Sequence, residues 1–121
     1  DHRVAIGLNA LISDVPLSDV ARAHSRHMIV HDFFGHTNPE GDYITERMVK
    51  YGMHGTLWGE NICVGAYTPL HAFNTLLASP GHKYVMELPD WRYIGVGYWE
   101  DTYDSGTYIY RQYWTQNFSN Y

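Results

Sequence analysis

Four short stretches hold most of the residues in this 121-residue chain that could do chemistry. They are Phe33-Phe34-Gly35-His36-Thr37-Asn38-Pro39, Gly59-Glu60-Asn61-Ile62, Ser79-Pro80-Gly81-His82 and Tyr113-Trp114-Thr115-Gln116-Asn117-Phe118. Between them they offer two imidazoles, His36 and His82, and one carboxylate, Glu60. If folding brings that trio together, it could bind Zn²⁺ and leave one coordination position open for water or a ligand. The same groups could act without a metal, histidine and glutamate trading protons as acid and base. A hydroxyl nucleophile needs a base within hydrogen-bond reach, and Ser79 stands only three residues before His82. No Gly-x-Ser-x-Gly elbow occurs, and Cys63 has no assigned base, so hydrolysis is an alternative and not the first expectation.

Each of these residues also has a plainer reading. A histidine beside a glycine or proline turn is usually a solvated or hydrogen-bonded surface group. Glu60 could simply anchor a loop by accepting backbone N–H bonds, and Asn61 suits a structural role around the Gly59 turn. His24, His27 and His31 fall at i, i+3 and i+7, a stripe that could bind metal or respond to pH near 6.5. Packing is the better expectation for His24, and exposed polar positions for His27 and His31. Trp58, Tyr67, Trp91, Tyr98, Trp99 and Trp114 could wall an apolar groove, but core packing accounts for most of them. Asn117-Phe118-Ser119 matches the N-glycosylation pattern, in a strand-like context that argues against a glycan.

Positioning these residues requires a run of helices followed by strands. Val4, Leu8, Leu11 and Ile12 share a helical spacing that Asp14-Val15-Pro16 should end. A second helix is expected from an N-cap at Ser18 to about His31. A third should run from Tyr43 to Tyr51, stopped by Gly52, and a fourth from Thr68 to about Leu77. A helical turn after Ser79 places Pro80 at a favourable first position. From Tyr93 the period changes: Ile94, Val96 and Tyr98 alternate against Tyr93, Gly95, Gly97 and Trp99. Thr107 to Phe118 is likewise aromatic and β-branched, and Asp104-Ser105-Gly106 supplies a turn, so the two segments read as an antiparallel hairpin. Bulky groups on both faces call for helices on both sides of the sheet. The expected fold is α+β, a three-layer α/β/α sandwich around a central antiparallel sheet.

Composition bounds the possibilities. The length fits one domain over residues 1–121 with a real core, and 45% hydrophobic with 17% charged residues is ordinary for a globular protein. With net charge −5 and no basic cluster, nucleic acid and anionic membranes are poor partners. One cysteine excludes an intrachain disulfide, which by itself favours a reducing compartment or a core that needs no staple. No apolar run approaches the roughly 20 residues that span a bilayer. The opening Asp-His-Arg has no apolar stretch shaped like a signal peptide.

In order and spacing, the four stretches resemble the CAP domain of cysteine-rich secretory, antigen 5 and plant pathogenesis-related proteins, in its compact prokaryotic type. Leu8-Asn9, Ala21-Arg22-Ala23-His24-Ser25, Met28, Pro39-Glu40-Gly41, Arg47, Gly52 and Ile94-Gly95-Val96-Gly97 extend the match over nearly the whole chain. The resemblance implies an α/β/α sandwich with a cleft formed by His36, Glu60 and His82, with Asn61 and Ser79 beside them. It implies that the trio holds a divalent metal, Zn²⁺ first. Many eukaryotic members place a second histidine ahead of a late Thr-Gln pair, where this chain has Tyr113, so their full tetrad does not carry over. The resemblance further implies a secreted or cell-surface protein whose partner is an extracellular small molecule, lipid or cell-wall component. Two alternatives accompany that reading: a peptidase-like hydrolase using the same trio, and a lipid or sterol carrier.

Overall fold

A computed structural model describes residues 1–53 and 55–120. The element order is α1 (His2–Ala5), β1 (Ile12–Ser13), α2 (Val15–Val30), α3 (Ile44–Lys50), β2 (Trp58–Val64), α4 (Pro69–Leu77), α5 (Pro80–Met86), β3 (Tyr93–Glu100) and β4 (Gln112–Ser119). The sheet runs β1-β3-β4-β2. β4 pairs antiparallel with β2 and with β3, while the two-residue β1 joins β3 in parallel. The expected central antiparallel sheet is therefore present, with one short parallel strand added at its edge.

Helices cover both faces, which gives the three layers. On one side Leu17 and Val20 of α2 pack with Ile44 and Met48 of α3, and Met28 and Ile29 pack against Ile62 and Tyr113. On the other, Ala72 and Leu76 of α4 and Met86 of α5 meet Cys63, Trp91, Trp114 and Phe118. Strand alternation divides these sets, because successive side chains of a strand point to opposite faces. In β3 the α2 side is taken by Gly95 and Gly97. A Cβ on Gly97 would lie 2.0 Å from the Arg22 backbone nitrogen, so α2 rests directly on bare backbone there.

Several boundaries depart from the sequence expectation, each for a local reason. α1 stops at Ala5 because Gly7 takes a left-handed φ of +87°, and Ile12 is freed to donate its N–H to the Arg92 carbonyl. Asp14 caps α2, accepting the Leu17 N–H at 3.0 Å, so Pro16 lies inside the first turn and begins a helix where it was expected to end one. Ser18 instead bonds the Asp14 carbonyl. β4 begins at Gln112, five residues later than expected. The segment before it is tied down by Asp32, whose carboxylate accepts the Thr107 and Tyr108 N–H groups, both at 2.8 Å. β2 was not anticipated as a strand at all.

Candidate functional site

β2 is an edge strand, hydrogen-bonded only to β4, and it carries Glu60 and Asn61 in succession. Alternation sends the two side chains to opposite faces of the sheet. Gly59, just before them, is required by packing: a Cβ there would lie 2.6 Å from the Trp91 ring.

Glu60 points to the α2/α3 side and is buried, its side chain 1% exposed. Arg47 of α3 grips it with two bonds, Nη1 to Oε2 and Nη2 to Oε1, each 2.8 Å. Asn117 of β4 donates a third bond to Oε2 at 2.8 Å. His36 Nδ1 lies 2.9 Å from Oε1, and because an ionised carboxylate only accepts, the ring nitrogen is the donor. Arg47 Nη2 also bonds the His36 carbonyl at 2.8 Å, so one guanidinium fixes both the acid and the loop that bears the imidazole. Burial alone would push the Glu60 carboxyl up, but hydrogen bonds from His36 and Arg47, helped by nearby positive charge, hold it down at about 2.

His24 of α2 completes this side. Its Nε2 bonds the Gly35 carbonyl at 2.8 Å and lies 3.8 Å from Glu60 Oε1. Burial pulls its pKa down to about 4, against the opposing charge of Glu60, so the ring is neutral at pH 7. The bond to a carbonyl assigns the proton to Nε2 and leaves Nδ1 as a buried acceptor with no partner among the described residues.

The opposite side of the edge holds Ser79, His82 and Asn61. His82 Nδ1 lies 2.9 Å from Ser79 Oγ, and Asn61 Nδ2 donates to the His82 carbonyl at 3.1 Å and to Gln116 Oε1 at 3.2 Å. Burial, and then the charge of His36, lower the His82 pKa. The five expected residues thus form two bonded groups, His36–Glu60 and Ser79–His82–Asn61, on opposite faces of β2. His82 feels the charge of His36, and both rings reach solvent.

The expected metal trio does not fit a divalent cation as arranged. Glu60 would be the anionic ligand, yet both its oxygens are bonded to donors and its charge is matched by Arg47. Among the described residues, no three His, Cys, Asp or Glu side chains are grouped to hold a metal ion. What the arrangement provides chemically is an oriented imidazole. With Nδ1–H anchored on a carboxylate, the rest of the part-exposed His36 ring is available to solvent.

Arg47 and Asn117, as partners of Glu60, were missed by reasoning from the sequence. Arg47 did carry a signal, since Ile44, Arg47 and Met48 share one helical stripe and all three are buried. A cation in an apolar stripe calls for a buried anion. Asn117 gave no such signal, because its partner lies across the sheet.

The three-layer fold is that of a CAP-type sandwich. The pattern of the cysteine-rich secretory protein family, CAP, matches residues 1–118, and the chain belongs to that family. It is 35% identical over 112 residues to the Bacillus subtilis protein YkwD, a match covering 93% of this chain and 40% of that protein. It is 29% identical over 116 residues to the membrane protein YlbC of the same organism, covering 96% of this chain and 30% of YlbC. The chain therefore spans well under half the length of these relatives. Among solved structures, an extracellular protein of Bacillus anthracis containing an SCP domain superposes with a TM-score of 0.84 at 27% identity, covering 98% of this chain and 36% of that one. An outer surface protein of Borrelia burgdorferi has the same fold, with a TM-score of 0.84 at 24% identity, covering 98% and 83%.

Proposed function

We propose that this chain is a secreted or cell-surface recognition domain whose cleft binds a small polar extracellular ligand, such as a wall-derived glycopeptide, through the outward edges of His36 and His82. The observation that carries the reading is the saturation of Glu60. Four side-chain bonds from Arg47, Asn117 and His36 hold it, so it serves to orient His36 and is not free to act as a base or an ion ligand. Family membership and the extracellular SCP-domain relative support the location. Among the described residues, no helix is long and apolar enough to cross a membrane.

The test is an NMR titration of ¹⁵N-labelled protein with soluble muropeptides. Shifts should centre on His36, Ser79 and His82 and vanish in His36→Ala plus His82→Ala. Identical shifts in that double variant, or none in the wild type, would reject the reading.

Two observations favour second readings. Ser79 Oγ within 2.9 Å of His82 Nδ1 supports a peptidase-like hydrolase, and turnover of ester substrates abolished by Ser79→Ala would establish it. On the face of the sheet that carries Asn61, a cavity of about 420 Å³ has Leu11, Phe73, Met86, Ile94 and Phe118 as its apolar lining, with Asp1, His2, Arg3 and Gln116 as its polar part, and could take an amphiphilic ligand. It supports a lipid or sterol carrier, for which saturable binding of a fluorescent fatty acid is the check.

A further inference from the structure

β3 is paired with β4 along its whole length, but on its outer side it is paired only at its start. β1 meets it at Tyr93 and Ile94 and goes no further. Asp14 donates its N–H to the Ile94 carbonyl at 2.9 Å, and the chain then turns into α2. The backbone groups of successive strand residues face alternate sides, so Val96, Tyr98 and Glu100 turn their N–H and C=O groups outward, as Ile94 does. Gly95, Gly97 and Trp99 turn theirs to β4, in a register that runs unbroken from Tyr93 to Glu100. Among the described residues nothing bonds the outward groups of Val96, Tyr98 and Glu100. No proline or bulge blunts this stretch, so the edge is open.

α2 gives that edge its charge. Val20 and His24 of the helix face α3 and Glu60, so the opposite flank, with Arg22 and Arg26 one turn apart, borders the outer side of β3. A Cβ on Gly97 would lie 2.4 Å from the Arg22 Cα, and the Arg26 guanidinium lies 5.7 Å from the centre of the Trp99 ring. Both arginines are exposed, and neither has a carboxylate partner among the described residues. Glu100 belongs to the other face of the sheet, where its carboxylate accepts the Tyr98 hydroxyl at 2.8 Å. Val96 stands on that same face, 45% exposed. The open edge is thus basic on the α2 face and apolar on the other, beside Val96 and the Tyr98 ring.

We propose that the outer edge of β3, from Val96 to Glu100, is a docking site for an extended peptide segment with carboxylates at alternate positions and apolar side chains between them. The peptide would join the sheet as a further strand, its backbone satisfying the outward groups of β3. Residues i and i+2 of an extended chain lie about 6.8 Å apart on one face, and Arg22 and Arg26 lie about 6 Å apart along the helix. Two alternate carboxylates can therefore meet the two guanidiniums, while the apolar side chains between them fall on Val96 and Tyr98. A second copy of this chain fits less well. Antiparallel pairing of β3 with itself would set Arg22 and Arg26 of both copies side by side on one face, where like charges repel.

The test is NMR of ¹⁵N-labelled protein with acetyl-Val-Glu-Val-Glu-Val-amide, and with its counterpart acetyl-Val-Lys-Val-Lys-Val-amide. The glutamate peptide should shift resonances along β3 and at Arg22 and Arg26. It should slow amide exchange about tenfold or more at Val96, Tyr98 and Glu100, and leave Gly97 and Trp99, already bonded to β4, unchanged. Arg22→Glu plus Arg26→Glu changes two exposed positions, so the fold survives, and it should bind the glutamate peptide about tenfold or more weakly. No shifts, equal binding of the two peptides, wild-type affinity in the double variant, or unchanged exchange at the three amides would each overturn the site. Slowing that follows protein concentration without peptide would assign the edge to a second copy and overturn it as well. Shifts confined to His36, Ser79 and His82 would overturn it and leave the reading of the cleft standing.

Discussion

Arg47 and Glu60 set the behaviour of the cleft at the scale of single residues. Removing one partner of a buried ion pair leaves an uncompensated charge, which typically costs about 3–5 kcal/mol. Arg47→Met should lower the stability to urea by that order, because it strips two bonds from Glu60 and one from the His36 carbonyl. An unchanged denaturation midpoint would mean that the pair is not closed in solution. At this scale the sequence was only partly informative. His36, Glu60 and His82 stood out through their motifs, and the structure bonds His36 to Glu60 while His82 lies with Ser79 on the other face of the sheet. That Glu60 is consumed by Arg47, Asn117 and His36 was hidden, because each partner comes from a different element. The glycosylation pattern at Asn117 falls on a residue that is 0% exposed and bonded to Glu60, out of reach of modification in the folded chain.

Hydrophobic period revealed most elements, and it failed where polar residues point inward. β2 reads Trp-Gly-Glu-Asn-Ile-Cys-Val, and the glutamate and asparagine at its centre break the apolar alternation that marks a strand. Those two residues are buried because each finds polar partners on its own face of the sheet. The pairing of β1 with β3 was equally hidden, since two residues carry no period. β3, in contrast, was plain from its alternation, and that alternation yields a prediction. Gly97→Ala places a methyl against the α2 backbone, where no side chain can move aside. It should destabilise by about 1–3 kcal/mol or more, measured by thermal melting. A neutral effect would show that α2 lifts freely from the sheet.

α2 also carries the main response to acid. His24 is neutral in the folded state, with its pKa lowered from 6.5 to about 4 by burial. Between those values the unfolded chain binds a proton that the folded chain does not, so stability falls as pH drops from 6.5 to about 4. The loss is on the order of 3 kcal/mol. Glu60, held at about 2, adds a second loss of the same sign as pH falls below its unfolded value of about 4.3. His24→Gln keeps an N–H for the Gly35 carbonyl and removes the titration. Its urea stability should vary less with pH across 4–6.5 than that of the wild type. Equal slopes would place the acid sensitivity elsewhere.

For the molecule as a whole, the question is what holds a small sandwich together without a covalent staple. The chain has one cysteine, so its stability rests on the three apolar clusters that flank the sheet and on the Arg47–Glu60 pair. Cys63 lies within the α4/α5-side cluster, 5% exposed, and burial pushes its thiol pKa up. The thiolate is the reactive form, so the native protein should be nearly inert to a thiol reagent such as dithiobis(nitrobenzoate). Labelling at Cys63 requires β2 to part from β4 or α4 to lift, and either motion opens the central cluster. The rate should therefore rise with urea in step with global unfolding, and the melting temperature should be the same with and without reductant. Fast labelling in native buffer would show that the edge strand frays independently. Glu60 and Asn61, which that edge carries, would then shift with it, and the bonds to the His36 ring and to the His82 carbonyl would loosen together.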